Sequence, residues 1–525
     1  MSSDLFQLLP LILVAVTGLG VLLTELLPER ARSAVPLAWL TAVGLSAGLY
    51  VVCSLWAGDA VSPVGAFLSG WVTIDGFTLF VWGTLLVSTM LVALYSHGIE
   101  AEQNLVKGEY YGFLSLALVG MMMLVAAANL LVLFLALETL SVSLYALVGM
   151  KRGSSRSAEA ALKFFLNGGL ASALLLYGLV LLWGETGTLE LAGLGAVLAG
   201  GSGSPLLYLG GTLVLVGFGF KVGVVPFHMW LPVVHEGAPT TVVGLVSGAV
   251  AVAVFAALLR LVYQGMLPEV FAGMPFSYAD AVVFVAVLTM TVGNLMAMHQ
   301  QDVKRMLAYA GIAHVGYLLM GLLLVPPLGS GNPGLRFASG SVLFYLVAQG
   351  LAMLLAFGVL ARLPTGGNDE GGLVRLAGLS RRRPGLAFLL GLALVSLAGF
   401  PPTAGFFARF ALLRELTVLG NGKLVVLVGI AVANGLLSAY YYLRPVMHMY
   451  MQDGAGEGKE LSSRTANFAL VVLAALILVL GLLPGRLANL AKTASRELTY
   501  KHAPNLRSSG PARLAPFANQ GAKDR

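Results

Sequence analysis

Long apolar runs, broken at short polar intervals, dominate this chain from end to end. A membrane-spanning helix needs about 20 apolar residues, and about fourteen segments meet that length. They fall near 5–27, 34–56, 73–95, 110–127, 129–150, 161–183, 206–231, 240–263, 278–298, 306–324, 340–361, 386–413, 424–450 and 465–484. The fourth and fifth are nearly continuous, with Asn129 as the only divider. The pattern predicts an all-α polytopic membrane protein, because a helix satisfies its backbone polar groups without water.

Two of these segments contain helix breakers. Pro226 interrupts the seventh, in Lys221-Val-Gly-Val-Val-Pro226-Phe-His228, and Pro401 and Pro402 interrupt the twelfth. Proline lacks an N–H, so the carbonyl of Val222 loses its helical partner. Discontinuous helices 7 and 12 are therefore expected. They stand five spans apart, and an odd separation inverts one copy of a repeat relative to the other. The expected organisation is N-terminal helices 1–3 over residues 1–109, a first inverted five-helix repeat over 110–263, and a second over 278–450. Helix 14 follows at 465–484, then a basic tail over 485–525 that is expected to be disordered.

Composition sharpens this reading. Hydrophobic residues make up 58% of the chain, charged residues only 10%, and mean hydropathy is +0.88, which excludes an ordinary soluble domain. The net charge of +7 is a topology signal here and not one for nucleic acid. Lys151, Arg152 and Arg156 follow span 5, Lys304 and Arg305 follow span 9, and Arg381, Arg382 and Arg383 follow span 11. The positive-inside bias then places these loops in the cytoplasm and both termini on the periplasmic side. The single cysteine, Cys53, argues against a cysteine-ligated metal or iron–sulfur site on this chain.

Charges at membrane depth cost at least ~2.5 kcal/mol on insertion scales, so they mark candidate function. Lys221 sits beside the first break. Glu138 lies in the fifth span, with Ser141 and Tyr145 on the same helical face. Such a carboxylate needs a cation or donors, and Lys221 and Lys163 are the candidates. His314 lies ~15 Å beyond Lys304 along a continuous helix, with Tyr317 one turn further. Its ordinary pKa suits a proton relay. Arg409 follows the double proline. A broken span with a cation thus occurs twice.

The run Lys221-Val-Gly-Val-Val-Pro226-Phe-His228-Met-Trp-Leu-Pro232, with its continuation to Pro239-Thr, resembles the signature of the proton-translocating membrane subunits of respiratory complex I and related cation/proton antiporters. Leu137-Glu138-Thr-Leu-Ser, the stretch from Gln301 to Tyr317, and the double-proline span match in order. Within this family the double-proline span ending in a basic residue and Phe410, and Ala439-Tyr-Tyr-Tyr-Leu-Arg444-Pro, look like the subunit N group of bacterial NADH–quinone oxidoreductase.

The resemblance implies a subunit of an NADH:quinone oxidoreductase, with no redox site of its own, in the bacterial inner membrane. Quinone reduction elsewhere would drive protons along a hydrated axis of Glu138, Lys163, Lys221, His228, His314 and Arg409, with Ser141, Tyr145, Lys304 and Tyr317 in support. Glu138 would pair with Lys221. NADH, FMN, iron–sulfur clusters and quinone would belong to partner subunits. Those partners would be the other membrane and peripheral subunits of the complex, including neighbouring antiporter-like subunits. The alternative is a subunit of a cation/proton antiporter or membrane-bound hydrogenase. Two departures stand out: the family usually has a lysine where Arg409 stands, and many relatives carry one near Ala251, in a span here without lysine.

Overall fold

The computed structural model describes residues 2–28, 35–58, 70–99, 105–198, 204–265, 270–271, 277–324, 339–363, 372–419, 422–453 and 463–500. Among them, thirteen helices are long and apolar enough to cross a membrane. In chain order the principal helices begin with α1 (Ser2–Leu23), α2 (Leu37–Ala57), α3 (Gly76–Ser96), α4 (Lys107–Ala126), α5 (Leu130–Val148) and α6 (Ser155–Thr186). The short α7 (Leu191–Leu198) precedes α8 (Pro205–Val222), α9 (Trp230–Gly237) and α10 (Thr240–Gln264). The second half comprises α11 (Tyr278–Met298), α12 (Val303–Met320), α13 (Ser339–Leu360), α14 (Pro384–Ala398), α15 (Ala404–Val418), α16 (Gly422–Met451), α17 (Arg464–Leu482) and α18 (Pro484–Tyr500).

Local chemistry sets the helix starts. The divider Asn129 is the N-cap of α5, accepting from the Leu131 N–H at 2.9 Å. Asp75, Ser204, Ser277, Asp302 and Ser463 cap α3, α8, α11, α12 and α17 in the same way. Each side-chain oxygen satisfies an N–H that the first helical turn leaves unpaired.

The centre of the bundle is α13, enclosed on every side, with α10 and α12 nearly so. Helices α1, α11, α16 and α17 turn much of their surface outward, and Leu19, Leu436 and Val479 are exposed there. Exposed leucine and valine over whole helix faces fit a surface solvated by lipid. Glycine permits the closest helix contacts: a Cβ on Gly120 of α4 would stand 2.6 Å from the Leu140 backbone of α5. Gly293 of α11 has the same relation to Ala313 of α12, again at 2.6 Å.

One expectation changes. The segment 485–525 is not wholly a disordered tail. Its first part forms α18, which buries Ala491, Ala494, Ser495 and Leu498 against the bundle. That spacing is one face of an amphipathic helix, hidden from a composition-based reading by the charges between. Residues 501–525 lie outside the described residues. The twelfth predicted span, 386–413, is present as two 15-residue helices, α14 and α15.

Candidate functional site

Both proline-containing segments leave the helix, and both do so through the same local geometry. Helix α8 ends at Val222, and Gly223 follows at φ +85°. The Gly223 N–H bonds the carbonyls of Gly219 and Phe220, and the Val224 N–H returns to Gly219 at 2.8 Å. In the second half α14 ends at Ala398, and Gly399 follows at φ +82°. Its N–H bonds Val395 and Ser396, and the Phe400 N–H returns to Val395 at 3.2 Å. Only glycine adopts this left-handed position without strain, so each helix stops before its proline is reached. The prolines then follow in cis linkages, Val225–Pro226 and Pro401–Pro402.

A cation stands at each helix C-terminus, where the macrodipole is negative. In the first half it is Lys221, in the last turn of α8. Its Nζ donates to the Ser141 hydroxyl at 2.7 Å. Glu138, one turn before Ser141 on α5, accepts from the Ser172 hydroxyl of α6 at 2.5 Å. The sequence reading expected Glu138 and Lys221 to pair directly. The structure instead gives each its own serine partner and leaves the two charges within electrostatic reach but not as an ion pair. Lys221 and Glu138 are half-buried and Ser141 is buried. Trp230, the first residue of α9, closes the break by donating from Nε1 to the Phe220 carbonyl at 2.8 Å. Its ring stacks on Phe164 at 4.6 Å. The covered carbonyl is thus that of Phe220, and α8 ends at Val222, four residues before Pro226.

Lys163 does not join this cluster. It lies on an exposed face of α6 and bonds Glu159, four residues earlier, at 2.5 Å. An i,i+4 neighbour is always within reach on a helix, whereas reaching Glu138 would require α6 to be turned. Tyr145 is half-buried, edge-on to Phe164 at 4.9 Å. His228 is half-buried in the turn between α8 and α9. Lys304, at the start of α12, lines a surface cavity with Lys151, Arg156 and Arg375, apart from the Lys221 cluster.

The second site is built from larger groups. Arg409 on α15 donates from Nη1 to the Ala398 carbonyl and from Nη2 to the Leu397 carbonyl, both at 3.0 Å. Its guanidinium lies 4.9 Å from the centre of the Tyr317 ring. His314, buried on α12, bonds the Tyr345 hydroxyl through Nδ1 at 2.8 Å and the Tyr442 hydroxyl through Nε2 at 3.0 Å. Tyr317 donates to the Ala431 carbonyl of α16 at 2.9 Å. His314, Tyr345, Gln349 and Arg409 line one small cavity.

Several buried polar groups escaped the sequence reading. Arg260 of α10 and Asp75 form an ion pair at 2.8 Å, both almost fully buried, joined by the Thr78 hydroxyl. Each is a lone charge near a span end, and nothing local couples residues 185 apart in sequence. His235 of α9 bonds the Leu231 carbonyl and, at 2.7 Å, the Ser247 hydroxyl. Ser247 sits in a π-helical turn, Val246–Val250. Among the described residues, no group of three or more His, Cys, Asp or Glu side chains could hold a metal ion.

An all-α bundle with two helix breaks, each with a cation at the helix end and polar groups around it, defines an antiporter-like polytopic membrane protein. The family model described as "NADH:quinone oxidoreductase/Mrp antiporter, TM" matches residues 127–438. NADH-quinone oxidoreductase subunit N 1 of Sorangium cellulosum is 40% identical over 498 residues, spanning 90% of this chain and 95% of that protein. A chain of respiratory complex I from Thermus thermophilus, solved with bound Aureothin, has 32% identity and a TM-score of 0.73 over 92% of this chain and 99% of its own. A chain of the Mrp complex from Dietzia sp. shares the fold, with 20% identity and a TM-score of 0.78 over 95% of this chain and 98% of that one. The chain belongs to the NADH-quinone oxidoreductase subunit N family, whose members are membrane subunits of an enzyme complex. It is a multi-pass protein of the bacterial inner membrane.

Proposed function

We propose that this chain is a proton-translocating subunit of an NADH–quinone oxidoreductase, in which quinone reduction elsewhere drives protons through the Glu138–Ser141–Lys221 cluster and on to His314. The observation that carries this is the Lys221 ammonium, held at a helix break by one neutral hydroxyl, with a carboxylate a turn away. A serine hydroxyl can accept from Lys221 in its charged form and donate to it in its neutral form. Motion of Glu138 toward or away from the amine then alters the cost of its charge. His314 passes the proton between Tyr345 and Tyr442. Arg409 stays protonated and supplies a fixed field. His228 and Tyr145 border the first site, Tyr317 positions the Arg409 guanidinium, and Lys304 with the neighbouring cations lines a cytoplasmic mouth. Lys163 acts on the pathway only indirectly, through its pair with Glu159.

The two halves form an inverted repeat, 110–263 against 278–450, within a chain of fourteen spans. The shared capping geometry at Gly223 and Gly399, and the matching close contacts at Gly120 and Gly293, support this. Helices α8 and α9 are then the discontinuous helix 7, and α14 and α15 the discontinuous helix 12. Residues 1–109 and helix 14 flank the repeats. Positive loops on one side put both termini in the periplasm. Neighbouring antiporter-like subunits and the peripheral redox subunits are its partners.

The test is Lys221→Ala in the assembled complex, followed by the proton-to-electron ratio in sealed vesicles. Loss of proton uptake with assembly intact supports the reading. An unchanged ratio rejects it.

A further inference from the structure

We propose that Glu415, clasped by Ser341, is the terminal proton-storing group of the second half-channel, taking the role that the always-charged Arg409 cannot perform. This rests on the proton-translocating reading above and extends it to an acid in α15. The carboxylate is half-buried and accepts from the Ser341 hydroxyl at 2.5 Å, and Ser341 is itself buried on α13. Ser341 lies one helical turn before Tyr345, whose hydroxyl bonds His314 at 2.8 Å. Residues four apart share a helix face, and helical side chains lean toward the N-terminus, so the Tyr345 side chain inclines toward Ser341. His314, Tyr345, Ser341 and Glu415 therefore form a polar line along one face of α13, with a single gap between the two hydroxyls.

The direction of the line is outward. Glu415 lies one turn before the end of α15, and Ser341 two residues after the start of α13. Both ends lie on the side opposite the basic loops, by the alternation of spans. The amphipathic α18 rests on this spot: a Cβ on Gly340 would stand 3.0 Å from the Lys492 Cα. Lys492 and Arg414 are the cations within electrostatic reach of Glu415.

The proton balance is simple. A proton reaching Tyr345 from His314 is passed on as the hydroxyl releases its own. A water bridging the gap does the same for Ser341, which gives a proton to the Glu415 carboxylate and takes one back. Each hydroxyl ends unchanged, and the carboxyl releases its proton to water near Lys492. The fixed charge of Arg409 repels an excess proton beside it and favours onward transfer.

The experiment uses the full complex in sealed vesicles. Glu415→Gln keeps an acceptor for Ser341 and removes the titrating group. It should slow proton uptake per electron by about ten-fold or more in this half-channel and abolish one carboxyl C=O band in redox-difference infrared spectra. Glu415→Asp should restore the band and part of the rate. Normal uptake and an unchanged spectrum in Glu415→Gln, with Lys221→Ala inactive, would overturn the role of Glu415 and leave the translocating reading standing. Normal uptake in both variants would overturn both. Should Glu415→Gln fail to assemble, Ser341→Ala, which keeps the carboxyl, carries the test: a shifted band and slower uptake support the proposal, and no change in either overturns it.

Discussion

The two helix breaks place a cation at the same kind of helix end but hold it in opposite ways. Lys221 is attached by one hydrogen bond to a serine hydroxyl that can exchange roles with it. Arg409 is gripped by two carbonyls and faces a tyrosine ring. The first arrangement leaves an amine free to lose and regain a proton. The second fixes a permanent charge, and in the proposed pathway the proton chemistry falls to the histidine, tyrosines and acid around it. Matched backbone geometry therefore does not imply matched chemistry, because whether a cation can release its proton is set by its side chain and not by the break.

The largest effect expected from this comparison comes from making the first site resemble the second. Lys221→Arg keeps the charge but ends deprotonation, so proton uptake should fall nearly to the level of Lys221→Ala while assembly persists. Full uptake in vesicles carrying Lys221→Arg would remove the distinction between the sites. Arg409→Gln should act next, on stability as much as on rate. Two charge-assisted hydrogen bonds to the end of α14 would be lost, at about 1.5–3 kcal/mol each before relaxation, and the midpoint of thermal disassembly should drop. Arg409→Lys should be milder, retaining proton uptake and a cation, though one able to lose its proton, while giving up the two-carbonyl grip and stacking, about 1 kcal/mol. A Lys variant as unstable as the Gln variant would show that geometry, not charge, is what α14 requires. Ser141→Ala should have the smallest effect: a several-fold slower uptake with normal assembly, since a water can replace one hydroxyl.

A separate contrast concerns a buried charge pair outside the proposed pathway. Asp75 and Arg260 are more deeply buried than Lys221 or Glu138, and their carboxylate and guanidinium are matched by two hydrogen bonds. Asp75→Asn would leave the arginine charge uncompensated and should cost about 3–5 kcal/mol, visible as loss of assembled complex. Depth in the bundle is thus a poor guide to function. A charge paired with its opposite has its ionised form locked in, whereas a charge held by neutral, exchangeable groups is the candidate for transport.

Much of the architecture was legible in the linear pattern. Apolar runs of span length located nearly every long helix, because a bilayer leaves the backbone no alternative to helix. The prolines marked where the two breaks fall, and Asn129 marked a true helix start. Lys221, Glu138, His314 and Arg409 were found by the cost of charge in hydrocarbon, which needs no coordinates. Partners were another matter. Glu138 meets Ser172, Lys221 meets Ser141, and Lys163 meets Glu159, because contact depends on which way each helix is rotated in the bundle. The Ser341–Glu415 contact and the Asp75–Arg260 pair join distant parts of the chain, and α18 was masked by its own charges. By itself the sequence determined the spans, the breaks and the unusual charges, since these follow from the solvent and the local backbone. Only the tertiary structure decided which charges are neutralised, which are held by hydroxyls and which polar groups meet across helices, since each of those depends on helix packing.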